Sequence, residues 1–424
     1  MKTARTATLV ALAALACQQD REQQESPPAL PSLIRDSAGI RIAENPRPPE
    51  GSRLPWRIGP EPTLSIGELE GEEPYMLHGV LDAARLSDGR IVVANQGSSE
   101  VRMFDASGNH LVSWGGEGEG PGEFASLLHV APWPGDSIVA WYSRGLGISV
   151  FDAEGSFGRS FVLRSGVAES WRSPRPIGVR AGGTILSIND PEGADTAVVD
   201  IWDADGALYA SLGTHPHREV IVTTDERGYQ ELDLPAYGRE LVTGQWGDLV
   251  VASHTTRYEI RAFRDDGALA RIVRREHVPR ATTEADREAY VEGELAKVEE
   301  QLARAAAIPG LEGMEIRAHL SSFRGEEGRK LFGSTPLAAT FPAFSTILSD
   351  ASGNLWVREY DFPREERPAP LWTVFDPDGR VLGFIETPVG LRIGQIGEDY
   401  ILGHYHDELE VEYVQVWPLE RPGG

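Results

Sequence analysis

One turn followed by a short apolar segment recurs six times along this chain, and this repeat constrains the fold more than any other feature. Its copies are SDGRIVVA (Ser87–Ala94), GDSIVAW (Gly135–Trp141), GGTILSI (Gly182–Ile188), WGDLVVA (Trp246–Ala252), SGNLWVREY (Ser352–Tyr360) and GEDYILG (Gly397–Gly403). Apolar and β-branched residues directly after a turn are typical of a β-strand. The sequence therefore predicts six repeated β-units.

A second turn signal follows five of these strands and defines the size of the unit. Its copies are FDASG (Phe104–Gly108), FDAEG (Phe151–Gly155), WDADG (Trp202–Gly206), FRDDG (Phe263–Gly267) and FDPDG (Phe375–Gly379). Asp bonds the turn backbone and Gly accepts a positive φ, as a tight hairpin requires. The Asp residues of successive copies, Asp105, Asp152, Asp203, Asp265 and Asp376, lie 47, 51, 62 and 111 residues apart, and the first three intervals each fit one four-stranded unit. We therefore predict an all-β, six-bladed β-propeller of four-stranded blades, with an open array such as a β-solenoid as the alternative.

The long fourth interval indicates a helical insertion between blades four and five, because it contains only one of the six strand signals. Residues 282–307, TTEADREAYVEGELAKVEEQLARAAA, are charged and rich in Ala, with Thr as the N-cap and Pro309-Gly310 as the stop. We place the insertion at about residues 280–335. The last repeat lacks a fourth strand, and TLSIG (Thr63–Gly67) resembles the missing one. The N-terminal strand is therefore expected to close the last blade.

The N-terminus has the pattern of an export signal. Residues 1–16 carry Lys2 and Arg5 before a short apolar run, and we assign them as a signal peptide. The run ends at Ala14-Leu15-Ala16-Cys17, which resembles the bacterial lipoprotein processing signal and predicts lipidation of Cys17. An ordinary secretion signal with an incidental Cys is the alternative. Residues 17–36, rich in Gln, Glu, Pro and Ser, are expected to be a flexible tether, and residues 37–424 the propeller.

Charge limits the partners. The chain has 40 Lys and Arg against 65 Asp and Glu, a net charge of −25. This excess of negative charge argues against nucleic acid, whose phosphates require basic groups. We expect a monomer held at the membrane by its lipid. Gln18, rather than Asp, follows the Cys, which favours the outer membrane of the bacterial envelope.

The chain resembles a known family at several of these motifs. GGEGEGPGEF (Gly115–Phe124) is similar to the NHL-type propeller repeat. Together with DSAGIRIAEN, SDGRIVVANQGSSEVRMFD, SGNLWVREY and DELEVEYVQVW, it resembles bacterial lipoproteins known as six-bladed β-propeller proteins. The resemblance implies the fold over nearly the whole mature chain. It implies no reaction, since propellers include both enzymes and binding modules.

Ligands of propellers usually bind where the second-to-third-strand loops and the connections between blades share one face, which we call the loop face. The helical insertion is expected there, as a shield or docking element, with a catalytic lid as the alternative. Candidate ligand-face residues are Asn95, Arg144, Asp190, His254, Arg257, Glu359, Tyr360, Asp361, His404 and His406.

Catalytic and metal-binding signals are weak. We assign no catalytic residue, since no nucleophile motif is present and the only Cys is at the processing site. His404 and His406 would point to one side of a strand, and His215 and His217 flank a Pro, but neither pair is by itself a metal site. The sequence therefore favours a binding or scaffold module rather than an enzyme. The alternative is a calcium-dependent hydrolase or lactonase-like propeller, with oxygen ligands from Asn95, Asp190, Glu359 and Asp361.

Overall fold

The computed structural model describes residues 31–142, 147–164, 174–180, 182–190, 195–224, 228, 230–307 and 310–422. These residues form a six-bladed β-propeller, as the repeats predict. Each of the six apolar signals is the second strand of a blade, counted outward from the centre.

Four short strands precede the first blade. They are β1 (Leu33–Ser37), β2 (Ile40–Asn45), β3 (Arg57–Ile58) and β4 (Leu64–Ile66). The predicted boundary between tether and propeller at residue 36 thus falls inside β1.

The first three blades are four-stranded antiparallel sheets with strands in chain order. Blade one is β5 (Val80–Arg85), β6 (Ile91–Asn95), β7 (Glu100–Phe104) and β8 (His110–Gly115). Blade two is β9 (Leu127–Trp133), β10 (Ser137–Tyr142), β11 (Gly147–Phe151) and β12 (Phe157–Val162). Blade three is β13 (Arg175–Val179), β14 (Ile185–Asn189), β15 (Thr196–Trp202) and β16 (Leu208–Pro216).

Blade four differs from the prediction in two ways. A hairpin that the sequence did not predict, β17 (Ile221–Thr224) and β18 (Gln230–Asp233), precedes it. The blade is β19 (Leu241–Trp246), β20 (Leu249–His254), β21 (Glu259–Phe263) and β22 (Leu269–Arg275), and β2 pairs in parallel with β22 while β1 pairs with β2. The sheet therefore has six strands, because the N-terminal hairpin covers the outer edge that a four-stranded blade would expose.

The helical insertion follows blade four, as predicted, but contains three helices. They are α1 (Glu284–Ala307), α2 (Gly310–Ser321) and α3 (Gly325–Ser334). Thr283 begins α1 with a capping arrangement, in which its hydroxyl and its main-chain N–H donate to the Asp286 carboxylate at 2.6 and 2.8 Å. Buried Val291, Val298 and Ala305 recur every seven residues and form the inner side of α1.

The last two blades complete the ring. Blade five is β23 (Thr346–Ser349), β24 (Leu355–Arg358), β25 (Leu371–Phe375) and β26 (Val381–Glu386). Blade six is β27 (Arg392–Ile396), β28 (Tyr400–His406) and β29 (Glu412–Glu420), and its outer strand is β4, which pairs antiparallel with β29. The predicted closure by the N-terminal strand is confirmed.

Turn chemistry repeats from blade to blade. In the first copy, Asp105 accepts hydrogen bonds from the main-chain N–H groups of Ser107 and Asn109, both at 2.8 Å, and Gly108 has a φ of +84°. The turns at Asp152, Asp203 and Asp376 use the same pair of bonds. These turns fix the register of the third and fourth strands, and the cores lie between neighbouring blades.

Candidate functional site

Helix α1 lies across the loop face. Near its N-terminus, the Tyr237 hydroxyl donates to the main-chain carbonyl of Asp286 at 2.9 Å, which joins the helix to the connection between blades three and four. Near its C-terminus, Arg304 pairs with Glu410, in the second-to-third-strand loop of blade six, at 2.6 Å. At 1.5 Å per residue the helix is about 36 Å long. It therefore runs from blade four to blade six over the face where ligands were expected.

An aromatic cluster fixes the base of the insertion. The ring of Phe341 lies 5.0 Å from Tyr237, 5.7 Å from Tyr360 and 5.2 Å from Phe362, measured between centroids. Burial raises the pKa of Tyr237 to about 12 and also raises that of Tyr360. Tyr360, a predicted ligand-face residue, thus packs against Phe341 and Phe362 and remains a neutral phenol at physiological pH.

Asp82 and His129 form a carboxylate–imidazole pair at the centre of the ring. They lie on β5 and β9, the innermost strands of neighbouring blades, and His129 Nδ1 contacts the Asp82 carboxylate. The His129 ring also stacks on Trp141, with centroids 3.8 Å apart. Gly394 on β27 of blade six also lies close, since a Cβ there would be in ordinary contact with Asp82 Oδ1, at 3.7 Å. The sequence did not single out this pair.

Asp190 and His217 form a second pair, above blade three. His217 Nε2 lies 3.2 Å from Asp190 Oδ2, and guanidinium groups of Arg218 and Arg175 lie 3.5 and 3.7 Å from the same carboxylate. Burial lowers the pKa of His217 despite the attraction of Asp190. Its Nδ1 is buried with no hydrogen-bond partner in the described part of the chain. One carboxylate thus faces two guanidinium groups and a neutral imidazole, so these side chains together carry a net positive charge.

The loop between β20 and β21 lies between two cavities. His254 and Arg257, both predicted ligand-face residues, line the smaller one, of about 290 Å³, between blades three and four. Within the loop, His254 Nδ1 lies 2.5 Å from the Thr256 hydroxyl, and burial lowers the His254 pKa. The imidazole is therefore neutral at physiological pH.

The larger cavity has a volume of about 770 Å³, and we call it the blade-four cavity. Its walls come from three segments: the N-terminal hairpin, the loop after β20, and the chain between β22 and α1. They include Leu33, Asn45, Arg257, Tyr258, Arg275 and His277. Pockets for small molecules in proteins typically measure about 300–1,000 Å³. The cavity is therefore large enough for a small ligand.

His404 and His406 lie beside each other, as a His-x-His strand predicts. Their ring centroids are 5.6 Å apart, and His406 Nδ1 lies 3.8 Å from Glu410. Burial lowers the pKa of His404, with the positive Arg392 acting in the same direction. In the described ranges, no group of three or more His, Cys, Asp or Glu side chains is arranged to hold a metal ion.

The four residues proposed as calcium ligands do not converge. Asn95 is buried and accepts a bond from the His78 N–H at 2.7 Å, while Glu359 is buried in an ion pair with Arg275. Asp361 pairs at the surface with Arg358 and Arg367. Asp190 faces His217, Arg218 and Arg175 above blade three.

Two predicted residues lie outside the described residues: Arg144 and Cys17. Two side chains that the sequence analysis missed, Asp82 and His129, had a usable signal. Each is a polar residue within the apolar first strand of a blade, LDAAR or LLHVAPW, where a core position would be apolar. The described helices include none that is both long enough and apolar enough to span a membrane.

Fold and site together define a six-bladed β-propeller whose loop face is crossed by helices and carries a cavity at blade four. No family model matches the chain, and no curated protein matches it.

Solved structures similar to this chain include three bacterial proteins. One is from Bacteroides fragilis NCTC 9343 and is inferred to be exported (12% identity, 89% of this chain and 99% of that one, TM-score 0.46). Another is a DUF4221 family member from Bacteroides vulgatus (10% identity, 86% and 99%, TM-score 0.47). A third is a gluconolactonase from Xanthomonas campestris (16% identity, 93% and 99%, TM-score 0.39). Similarities this distant assign no activity or ligand to this chain.

Proposed function

We propose that this protein is a binding module that holds a small molecule on its loop face, in the blade-four cavity. The observation that carries the proposal is the 770 Å³ cavity, whose wall includes Arg257 of the loop after β20. A concave site with a few polar groups is the usual form of a small-molecule site. A propeller also suits such a site, because its rigid strands hold the loops in place.

Backbone pairing supports a preformed cavity. The N-terminal hairpin, which supplies Leu33, is held by the five-residue parallel register of β2 with β22. The opposite wall includes His277 and Pro279, which lie in the chain segment between β22 and α1. Walls fixed in this way lose little conformational freedom when a ligand binds, which favours affinity.

We also propose that the module acts in the bacterial cell envelope, exported and anchored by lipid at Cys17, with the outer membrane favoured. The support is the sequence: a charged and then apolar leader, small residues before Cys17, and Gln18 after it. Two or three acyl chains would be enough for stable anchoring.

A calcium-dependent hydrolase or lactonase-like enzyme is the competing function. Its expected ligands lie apart, as described above. If the protein is such an enzyme, purified protein should open a lactone such as δ-gluconolactone and should lose that activity when EDTA removes calcium. Such a result would replace the binding-module proposal, whereas equal rates with and without protein would leave the proposal in place.

The experiment that tests the site uses two matched substitutions. Leu33 lines the cavity and Leu111 lies on β8 of blade one, and both are exposed leucines on strands. Leu33→Trp should fill part of the cavity, and Leu111→Trp is the control. A ligand at 100 times its Kd stabilises the folded state by about 2.7 kcal/mol, which a thermal-shift screen of metabolites detects.

We expect the screen to find metabolites that raise the Tm of the wild-type protein and of Leu111→Trp but do not raise that of Leu33→Trp. Hits that shift all three proteins equally would place the ligand elsewhere and contradict the proposed site.

A further inference from the structure

We infer that the ligand of the blade-four cavity is an amphiphile with a carboxylate head group, an inference that rests on the proposed binding function. The first part of the argument concerns the apolar wall. Pro31, Leu33, Pro46 and Pro279 line the cavity, and the ring of Tyr258 adds to them. Leu33 remains 63% exposed although it lies on a strand. An apolar chain lying against this wall would remove that surface from water, which is the main source of affinity for such ligands.

The carboxylates of the cavity already have partners. Glu44 and Glu259 both bind Arg274, at 2.8 and 2.6 Å, and Glu259 also accepts from Arg261 at 2.6 Å. The third, Glu276, accepts a main-chain bond from Arg47 at 3.4 Å. The two carboxylates on Arg274 are thus neutralised within the wall, and a cationic head group would have to compete with an arginine for them.

One guanidinium is available to an anion, and a second is not. Arg257 is exposed at the cavity, and its guanidinium makes no hydrogen bond or ion pair within the described portion of the chain. Arg275 is only 5% exposed, and its Nε is a buried donor that likewise has no acceptor among the described groups. Its other nitrogens are used by Glu359 and Thr373. Because its Nε is out of reach of solvent and its other nitrogens are bound, Arg275 is closed off from the cavity, and Arg257 is the guanidinium that a ligand can reach.

The head group that suits Arg257 is a carboxylate. Its two oxygens match the planar fork of the guanidinium, and Arg–carboxylate bonds are among the stronger ones in proteins. His277 also lines the cavity, and burial lowers its pKa, so it adds no positive charge at neutral pH. A phosphate dianion would find too little positive charge here, because Glu359 neutralises Arg275.

The test uses four single-chain probes of equal length: decanoate, decyl phosphate, decanol and decyltrimethylammonium. Binding to the purified protein is measured by isothermal titration calorimetry at pH 7.5, below the micelle concentration of each probe. Arg257→Ala removes the rim guanidinium, and Arg257→Lys keeps its charge without the planar fork. The control is Arg57→Ala, an exposed arginine on β3 of blade six.

We expect decanoate to bind more tightly than the other three probes. Arg257→Ala should weaken decanoate binding about tenfold, because a charged hydrogen bond is lost. Arg257→Lys should weaken it less, and Arg57→Ala should leave it unchanged.

Two results would overturn the inference. One is that decyl phosphate, decanol or decyltrimethylammonium binds as tightly as decanoate, and the other is that Arg257→Ala has no effect on decanoate binding. Neither result removes the proposed function, which is tested separately by the Leu33→Trp thermal-shift comparison and by the lactonase assay. The two failures are therefore distinguishable.

Discussion

Arg275, the last residue of β22, forms a buried ion pair with Glu359, which follows β24 in the next blade. Arg275 Nη1 lies 2.6 Å from Glu359 Oε1, and the same carboxylate accepts bonds from the hydroxyls of Tyr258 and Thr373 at 3.0 and 2.7 Å. The guanidinium carbon also lies 3.6 Å from the centroid of the Tyr258 ring. This network joins blades four and five directly beneath the blade-four cavity, since Tyr258 and Arg275 line it.

Removing one partner should therefore destabilise the whole propeller. Glu359→Met leaves the Arg275 charge buried without its counterion, and we expect the free energy of unfolding in urea to fall by about 3–5 kcal/mol. The double variant Arg275→Met/Glu359→Met should lose clearly less, because no unpaired charge remains. Arg329→Ala, which breaks exposed pairs with Glu288 and Glu292 on α1, is the control and should change the same quantity by about 0–1 kcal/mol. Equal losses in the single and double variants would contradict this account.

The closure of the ring can be tested with a disulfide. Ser65 on β4 and Gln415 on β29 are paired residues, and the Gln415 amide lies 3.4 Å from the Ser65 hydroxyl. In Ser65→Cys/Gln415→Cys we expect a cross-link that encloses most of the chain and stabilises it by about 2–5 kcal/mol. The Tm should rise under oxidising conditions and return on reduction, and the single variants should not respond. Failure of the two thiols to cross-link in the folded protein would mean that β4 does not close blade six.

Buried imidazoles predict a loss of stability in acid. Burial lowers the pKa values of His215, His217, His254, His277 and His404 in the folded protein. The unfolded chain then binds protons more readily, so the stabilising contribution is complete above the unfolded pKa of about 6.5 and is lost as the pH falls below it. We expect the free energy of unfolding to decrease between about pH 7 and pH 5.

A single variant should reduce this pH dependence. His404→Gln removes one buried imidazole, so the slope of unfolding free energy against pH should be shallower than in the wild type. His319→Gln, at an exposed position on α2, is the control. A slope that His404→Gln leaves unchanged would show that this residue does not contribute.

The anchor is tested by one substitution. Cys17→Ser removes the thiol that would carry the lipid, and we expect the protein to move from the membrane fraction to the soluble fraction when cells are fractionated. Metabolic labelling with a palmitate analogue should mark the wild type alone. Retention of Cys17→Ser in the membrane fraction would mean that something other than a lipid on this residue holds the protein.

Most of the fold could be predicted because its signals are local. Each blade carries its own strand run and its own turn, as at Asp105 and Gly108, and the charged helix with Thr283 at its start is equally visible in the sequence. The parallel pairing of β2 with β22 could not be predicted in this way. It joins Ile42 to Ile272, and no local pattern indicates which distant edge a short hairpin will cover.

The site was predicted less completely, because it depends on contacts between blades. His254 and Arg257 indicated a polar loop because their side chains are polar. The two cavities beside that loop also need segments that are distant in sequence, and the sequence did not indicate these. Asn95 and Glu359 have the residue types of a ligand surface, yet their side chains are buried in hydrogen bonds within the fold. Asp82 and His129 meet only because β5 and β9 are neighbours at the centre of the ring.

The central claim is that the blade-four cavity holds a small molecule, and native mass spectrometry of the protein purified from the cells that produce it tests it most directly. We expect the wild type and Leu111→Trp to carry an additional mass that is absent under denaturing conditions and from Leu33→Trp. An additional mass that Leu33→Trp retains at the same occupancy would contradict the claim.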